Sequence, residues 1–118
     1  MLAKRELHME RFDQLMMEDN TDNNDIDRVA LFFVIAGNND LFQKRKHIYD
    51  FKAHCIKYCL DDGKIDFSSG SKALIRLAFN LYNNYQCSEI SPHDIMKYLD
   101  SDNLSLAIEA IQLRFVSK

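Results

Sequence analysis

A chain of 118 residues with 15 Lys and Arg against 18 Asp and Glu carries a net charge of −3, and 47% of it is apolar. That length makes one domain able to hide roughly two-thirds of its unfolded surface, and the apolar share excludes disorder. One proline and three glycines exclude a turn-rich sandwich or barrel, and the mild acidity argues against a dedicated nucleic-acid binder, which needs clustered Lys and Arg.

The first helix is expected over residues 3–18, where Met9, Phe12 and Met16 recur at three and four and Leu15 widens the stripe. "EDNTDNND" then breaks it, because short polar side chains favour turns and caps. A second helix, "DIDRVALFFVIAG", starts at an Asn/Asp cap and is expected to end with Gly37 in the left-handed conformation. Val29 to Ala36 are apolar on every face, which places this helix in the middle of the domain. Arg28 is the odd residue there; either a buried carboxylate pairs with it, or its head reaches water past its own stem.

A third helix is predicted from about Asp40 to Leu60, with Ile48, Phe51, Cys55 and Cys59 on one stripe and Lys46, Asp50, His54 and Lys57 opposite. The fourth, from Ser71 to about Asn84, repeats Leu74, Leu77, Ala78, Leu81, Tyr82 and Tyr85 at three and four. The fifth opens on "SPHD", with Ser91 as N-cap, Pro92 at the first helical position and Asp94 placed to reach back. The sixth follows "DSDN" and carries Leu104, Ala107, Ile108, Ile111 and Phe115 along one face. No strand run, internal repeat or linker stands out. The expected fold is all-α: a single domain, residues 1–118, built as an irregular bundle of about six helices.

"DDGKIDF" sounds like a calcium loop. With Gly63 as the turn glycine of an EF-hand, Asp62, Ile65 and Asp66 fall at acceptable positions. However, Tyr58, Leu60 and Ser69 replace the first two ligands and the closing bidentate carboxylate. A degenerate helix–loop–helix shape is therefore the expectation, with Asp62 and Asp66 making at most a weak cation site. "SSGSK" sounds like a phosphate cradle, but Gly70 stands alone and the order after it is Ser-Lys, so the P-loop is not met. What remains is a helix start offering Ser68, Ser69, Gly70, Ser71, Lys72 and Arg76 to an anion, against the commoner reading of simple N-capping.

Cys55, Cys59, Cys87 and His93 lack the tight knuckle spacing of a zinc site, and buried cysteine behaves as a small hydrophobe. Three cysteines, odd in number, fit reduced thiols in a cytoplasm. His8, His47 and His54 read as surface or boundary residues of helices. The acidic run from Glu18 to Asp27 and the basic run Lys44 to Lys46 read as solvated faces. No cofactor, metal or catalytic motif is expected. Nothing approaches the ~18 consecutive apolar residues of a membrane span, and "MLAKRELHMERF" is charged throughout.

The stretches "RVALFFVIAGNNDLF", "IYDF" and "DFSSGSKALIRLAFNLYNNY" resemble an uncharacterised family of short helical proteins from Gram-positive bacteria and their mobile elements. The likeness spans about residues 28–85 and continues weakly to "LAIEAIQLRF". It implies an all-helical, intracellular domain and transfers no active-site residue. The leading functional expectation is a small interaction module or inhibitor with a protein partner, on a host defence or regulatory protein if the setting is a mobile element. The alternatives are an anion or phosphate-bearing ligand at residues 68–76, and a nucleic-acid surface on Lys44, Arg45, Lys46, Lys52 and Lys57. Oligomeric state is left open.

Overall fold

A computed structural model describes residues 4–57 and 65–116 of the chain. Among these, seven helices and one short hairpin follow in order: α1 (Lys4–Asp19), α2 (Ile26–Gly37), α3 (Asn39–Gln43), α4 (Arg45–Ile48), β1 (Tyr49–Asp50), β2 (Cys55–Ile56), α5 (Ser69–Asn83), α6 (Pro92–Met96) and α7 (Ser101–Phe115). The architecture is mostly helical, as the composition implies.

The eight apolar residues Val29 to Ala36 are all buried, and α2 packs against α1, α5 and α7 at once. A helix apolar all round has no face to give to water, so it becomes the axis around which the amphipathic helices close. Phe32, Leu31, Val34 and Ile35 are fully buried, each worth about 1.5–3 kcal/mol over exposure. Leu74, Leu77, Ala78 and Leu81 bring α5 against this axis, and Leu106, Ala107 and Ala110 bring α7.

Asp25 caps α2 by accepting from the Arg28 amide, and Ser68, Ser91 and Asp100 do the same for α5, α6 and α7. Pro92 sits in the first turn of α6 as expected, but the Asp94 side chain faces Lys97 and His93. α5 ends on Asn84 in the left-handed conformation, φ 62°.

Two expectations change. Gly37 stays helical, and the chain leaves α2 through an extended Asn38. Crowding favours glycine there: a Cβ would lie 2.3 Å from Leu106 Cδ1 and 3.0 Å from His8 Nε2, so those side chains would have to move. The absent side chain lets α7 and α1 close over the end of α2.

The predicted helix 40–60 does not form as one. α3 ends at Gln43, α4 adds one turn, and the chain then reverses through an antiparallel hairpin pairing Tyr49 with Ile56 and Asp50 with Cys55. Asp50 Oδ1 accepts from the Lys52 and Ala53 amides at 2.9 and 3.0 Å, which folds the turn. Short polar side chains offer the backbone this alternative to helix. Tyr49 is fully buried and stacks edge-on to Phe32 and Phe51, each at 5.0 Å. That aromatic burial outweighs the helical stripe, and Cys55, expected on an apolar face, is exposed.

The "DDGK" turn and Cys59 lie outside the described residues. The segment leading into that loop is the strand Cys55–Ile56, so the incoming helix of an EF-hand is replaced by a hairpin.

Candidate functional site

The hairpin is held to the helices by one polar centre, and the sequence hints at it only through Arg28. The Asp19 side chain is 2% exposed at the end of α1. Its Oδ1 lies 2.7 Å from His54 Nδ1, and its Oδ2 accepts from the Thr21 hydroxyl. Arg28 sits 3.7 Å from the same carboxylate and pairs with Asp25 at 2.6 Å. Its remaining donors reach Tyr49 Oη at 2.9 Å and the His54 carbonyl at 2.6 Å. Both expectations for Arg28 are therefore met: it neighbours a buried carboxylate, and about a quarter of its side chain stays in water.

The electrostatics follow from this packing. Burial pushes the Tyr49 phenol above its ordinary range, and the Asp19 carboxylate pushes the same way. The phenol thus keeps its proton while its oxygen accepts from Arg28. The hydrogen bond to Tyr49, with the one to Asp25, raises the Arg28 guanidinium despite partial burial. A carboxylate only accepts, so His54 carries its hydrogen on Nδ1 and turns Nε2 outward. His54 is not a helix surface residue; its backbone takes φ 57° at the hairpin tip, where Arg28 holds its carbonyl. Among the described residues no hydroxyl or thiol is hydrogen-bonded to Nε2, and the pair orients the imidazole.

The helix start singled out for an anion uses its donors internally. Ser68 Oγ accepts from the Ser71 amide at 3.1 Å and lies 3.0 Å from Ser71 Oγ, which in turn donates to Asp40 Oδ2 at 2.9 Å. Gly70 lies close to the Tyr98 carbonyl, where an added Cβ would come within 3.3 Å. Arg76 donates to the Glu89 carbonyl at 3.0 Å, while Lys72 and Ser69 are exposed. A carboxylate at the mouth repels the anion that the helix dipole would attract. Asp66 is exposed, and its carbonyl accepts from Lys44.

The basic run also divides. Lys44 pairs with Asp40 at 2.8 Å, and Arg45 grips Glu18 through two bonds of 2.9 and 3.0 Å. Lys46, Lys52 and Lys57 instead surround a cleft of about 580 Å³ with Tyr49, Asp50, Phe51 and Glu18. Cys55, Cys87 and His93 form no metal cluster among the described residues.

A fourth feature is apolar. Ile108 and Phe115 are 47% and 55% exposed on α7. With the partly covered Leu104 and Ile111 they form an i, i+4, i+7, i+11 stripe bordered by the exposed Ser101, Ser105 and Gln112. The sequence put Leu104, Ala107, Ile108, Ile111 and Phe115 along one face; the structure buries Ala107 and leaves Ile108 and Phe115 exposed.

Residues 1–118 match the model described as "Family of unknown function (DUF6075)". The chain belongs to that family. Its match runs beyond the resemblance at residues 28–85 and takes in the α1–hairpin centre, the lysine cleft and α7. No curated protein and no solved structure matches this DUF6075 member. Among the described residues no helix is long and apolar enough to cross a membrane.

Proposed function

We propose that this protein is a small interaction module that acts by seating α7 in an apolar groove of a partner protein. The observation that carries the reading is the exposed stripe of Ile108 and Phe115, continued by Leu104 and Ile111. Anchors at this spacing are how an amphipathic helix enters a hydrophobic groove. Ser101, Ser105 and Gln112 border the stripe, while Arg114 lies over the Phe115 ring at 4.9 Å and pairs with Asp27 at 3.1 Å.

The occupant is a different protein rather than a second copy. The molecule measures 32 × 31 × 31 Å, and a single helix stripe is narrow enough to enter a groove on a larger partner. A cytoplasmic role in a Gram-positive host or its mobile elements accords with the resemblance, and inhibition of a host defence or regulatory protein is the matching activity.

The test is an affinity capture from a Gram-positive lysate with the wild type and with Ile108→Glu/Phe115→Asp, after circular dichroism shows both equally folded. A partner retained by the wild type and lost by the variant supports the reading. Equal capture by both, capture by neither, or a wild-type homodimer that the variant dissolves refutes it.

A further inference from the structure

We propose that the cleft between α4 and the hairpin is a nucleotide site, with Lys46, Lys52 and Lys57 taking the phosphates and Phe51 stacking the base. Its volume of about 580 Å³ lies within the range of small-ligand pockets. All three lysines are exposed, and among the described residues none has a carboxylate within salt-bridge distance.

The two acids that line the cleft are already engaged. Glu18 is held by the Arg45 guanidinium, which lowers its pKa. Asp50 is held by the Ala53 and Lys52 amides, which lower its pKa. Lys46 faces Glu18, and Lys52 and Lys57 face Asp50. Three ammonium groups thus meet two carboxylates, one of them already neutralised by Arg45, and the acidity of the whole chain matters little beyond about 10 Å.

The aromatic floor selects among polyanions. Phe51 lies near-parallel to Phe32, 14° between planes, and edge-on to Tyr49 at 5.0 Å. Two core rings thus fix its orientation while it lines the cleft. A held ring beside exposed lysines is the combination that binds bases and phosphates together. Inorganic phosphates gain nothing from the ring.

The site is independent of the α7 stripe, so either assignment stands without the other. Calorimetric titration with ATP, a twelve-nucleotide oligothymidylate and inorganic tripolyphosphate, in about 50 mM salt, tests it. ATP or the oligonucleotide should bind about tenfold or more tightly than tripolyphosphate. Lys46→Glu/Lys57→Glu, changing two exposed residues, should weaken that binding at least about tenfold while leaving the fold intact. Phe51→Leu should reduce ATP to the affinity of tripolyphosphate; should that variant fail to fold, the tripolyphosphate comparison alone decides the role of the ring. Preference for ATP identifies a free nucleotide, and preference for the oligonucleotide with a steep salt slope identifies a strand. Failure of both to bind at about 1 mM, equal binding of tripolyphosphate, or indifference to the lysine reversals overturns the assignment.

Discussion

Replacing Asp19 by alanine tests whether the polar centre holds the hairpin in place. Two bonds to a buried carboxylate are lost, from His54 Nδ1 at 2.7 Å and from Thr21. Hydrogen bonds to a charged group are worth about 1.5–3 kcal/mol each. Half of the His54 side chain is exposed, so it recovers water, and Arg28 keeps Asp25 at 2.6 Å. Removal of the charge also relieves its desolvation cost. Together these place the loss at about 2–3 kcal/mol. With an unfolding entropy of about 0.25 kcal/mol/K for a chain this long, Tm should fall by about 8–12 °C. His54→Ala should cost about 1 kcal/mol, and the double variant should be less destabilised than the sum, with a coupling of about 1 kcal/mol. Thermal and urea unfolding followed by circular dichroism give all four corners of the cycle. A shift under about 2 °C in Asp19→Ala, or strict additivity with His54→Ala, would refute the claim that this pair anchors the hairpin.

Three further outcomes are expected. Gly37→Ala drives a methyl against Leu106 and His8 and should cost about 1–3 kcal/mol in urea melts, whereas a left-handed cap would lose its Schellman geometry instead; recovery by adding Leu106→Ala would distinguish crowding. Ser68→Ala removes the bond to the Ser71 amide and should lower stability by about 1 kcal/mol, with no change expected for Ser69→Ala on the exposed side. His8, bonded to the Phe33 carbonyl, has its pKa lowered from 6.5, mainly by burial. The unfolded chain therefore takes up this proton first, and stability present above about pH 6.5 is lost as pH falls through the lower folded value. His8→Gln should flatten the decline in Tm between pH 7 and 5; an unchanged slope would show that His8 titrates alike in both states.

Much of the fold is local and was legible in the chain. The all-round apolar run Val29–Ala36 could only be central, and Ser91 announces α6 because a cap's hydroxyl serves amides two or three residues away, whereas the sequence left the cap of α5 among Ser68, Ser69 and Ser71 and the structure puts it at Ser68. The exposed stripe on α7 was not legible: Ile108 and Phe115 share the periodic spacing of core residues, and periodicity identifies an apolar face without saying whether anything covers it. The hairpin was lost for a similar reason, since the helical spacing of Ile48, Phe51 and Cys55 is satisfied on paper. What overrides it is the pocket among Phe32, Phe51 and Arg28 that takes the Tyr49 ring, and of these only Phe51 lies near Tyr49 in the chain, Arg28 standing 21 positions away. Asp19 and His54 stand 35 positions apart, each looking like a solvated surface residue. Only the closure of α1 and the hairpin over Arg28 buries the carboxylate and turns the imidazole outward, because burial and charge pairing depend on what the rest of the chain brings alongside.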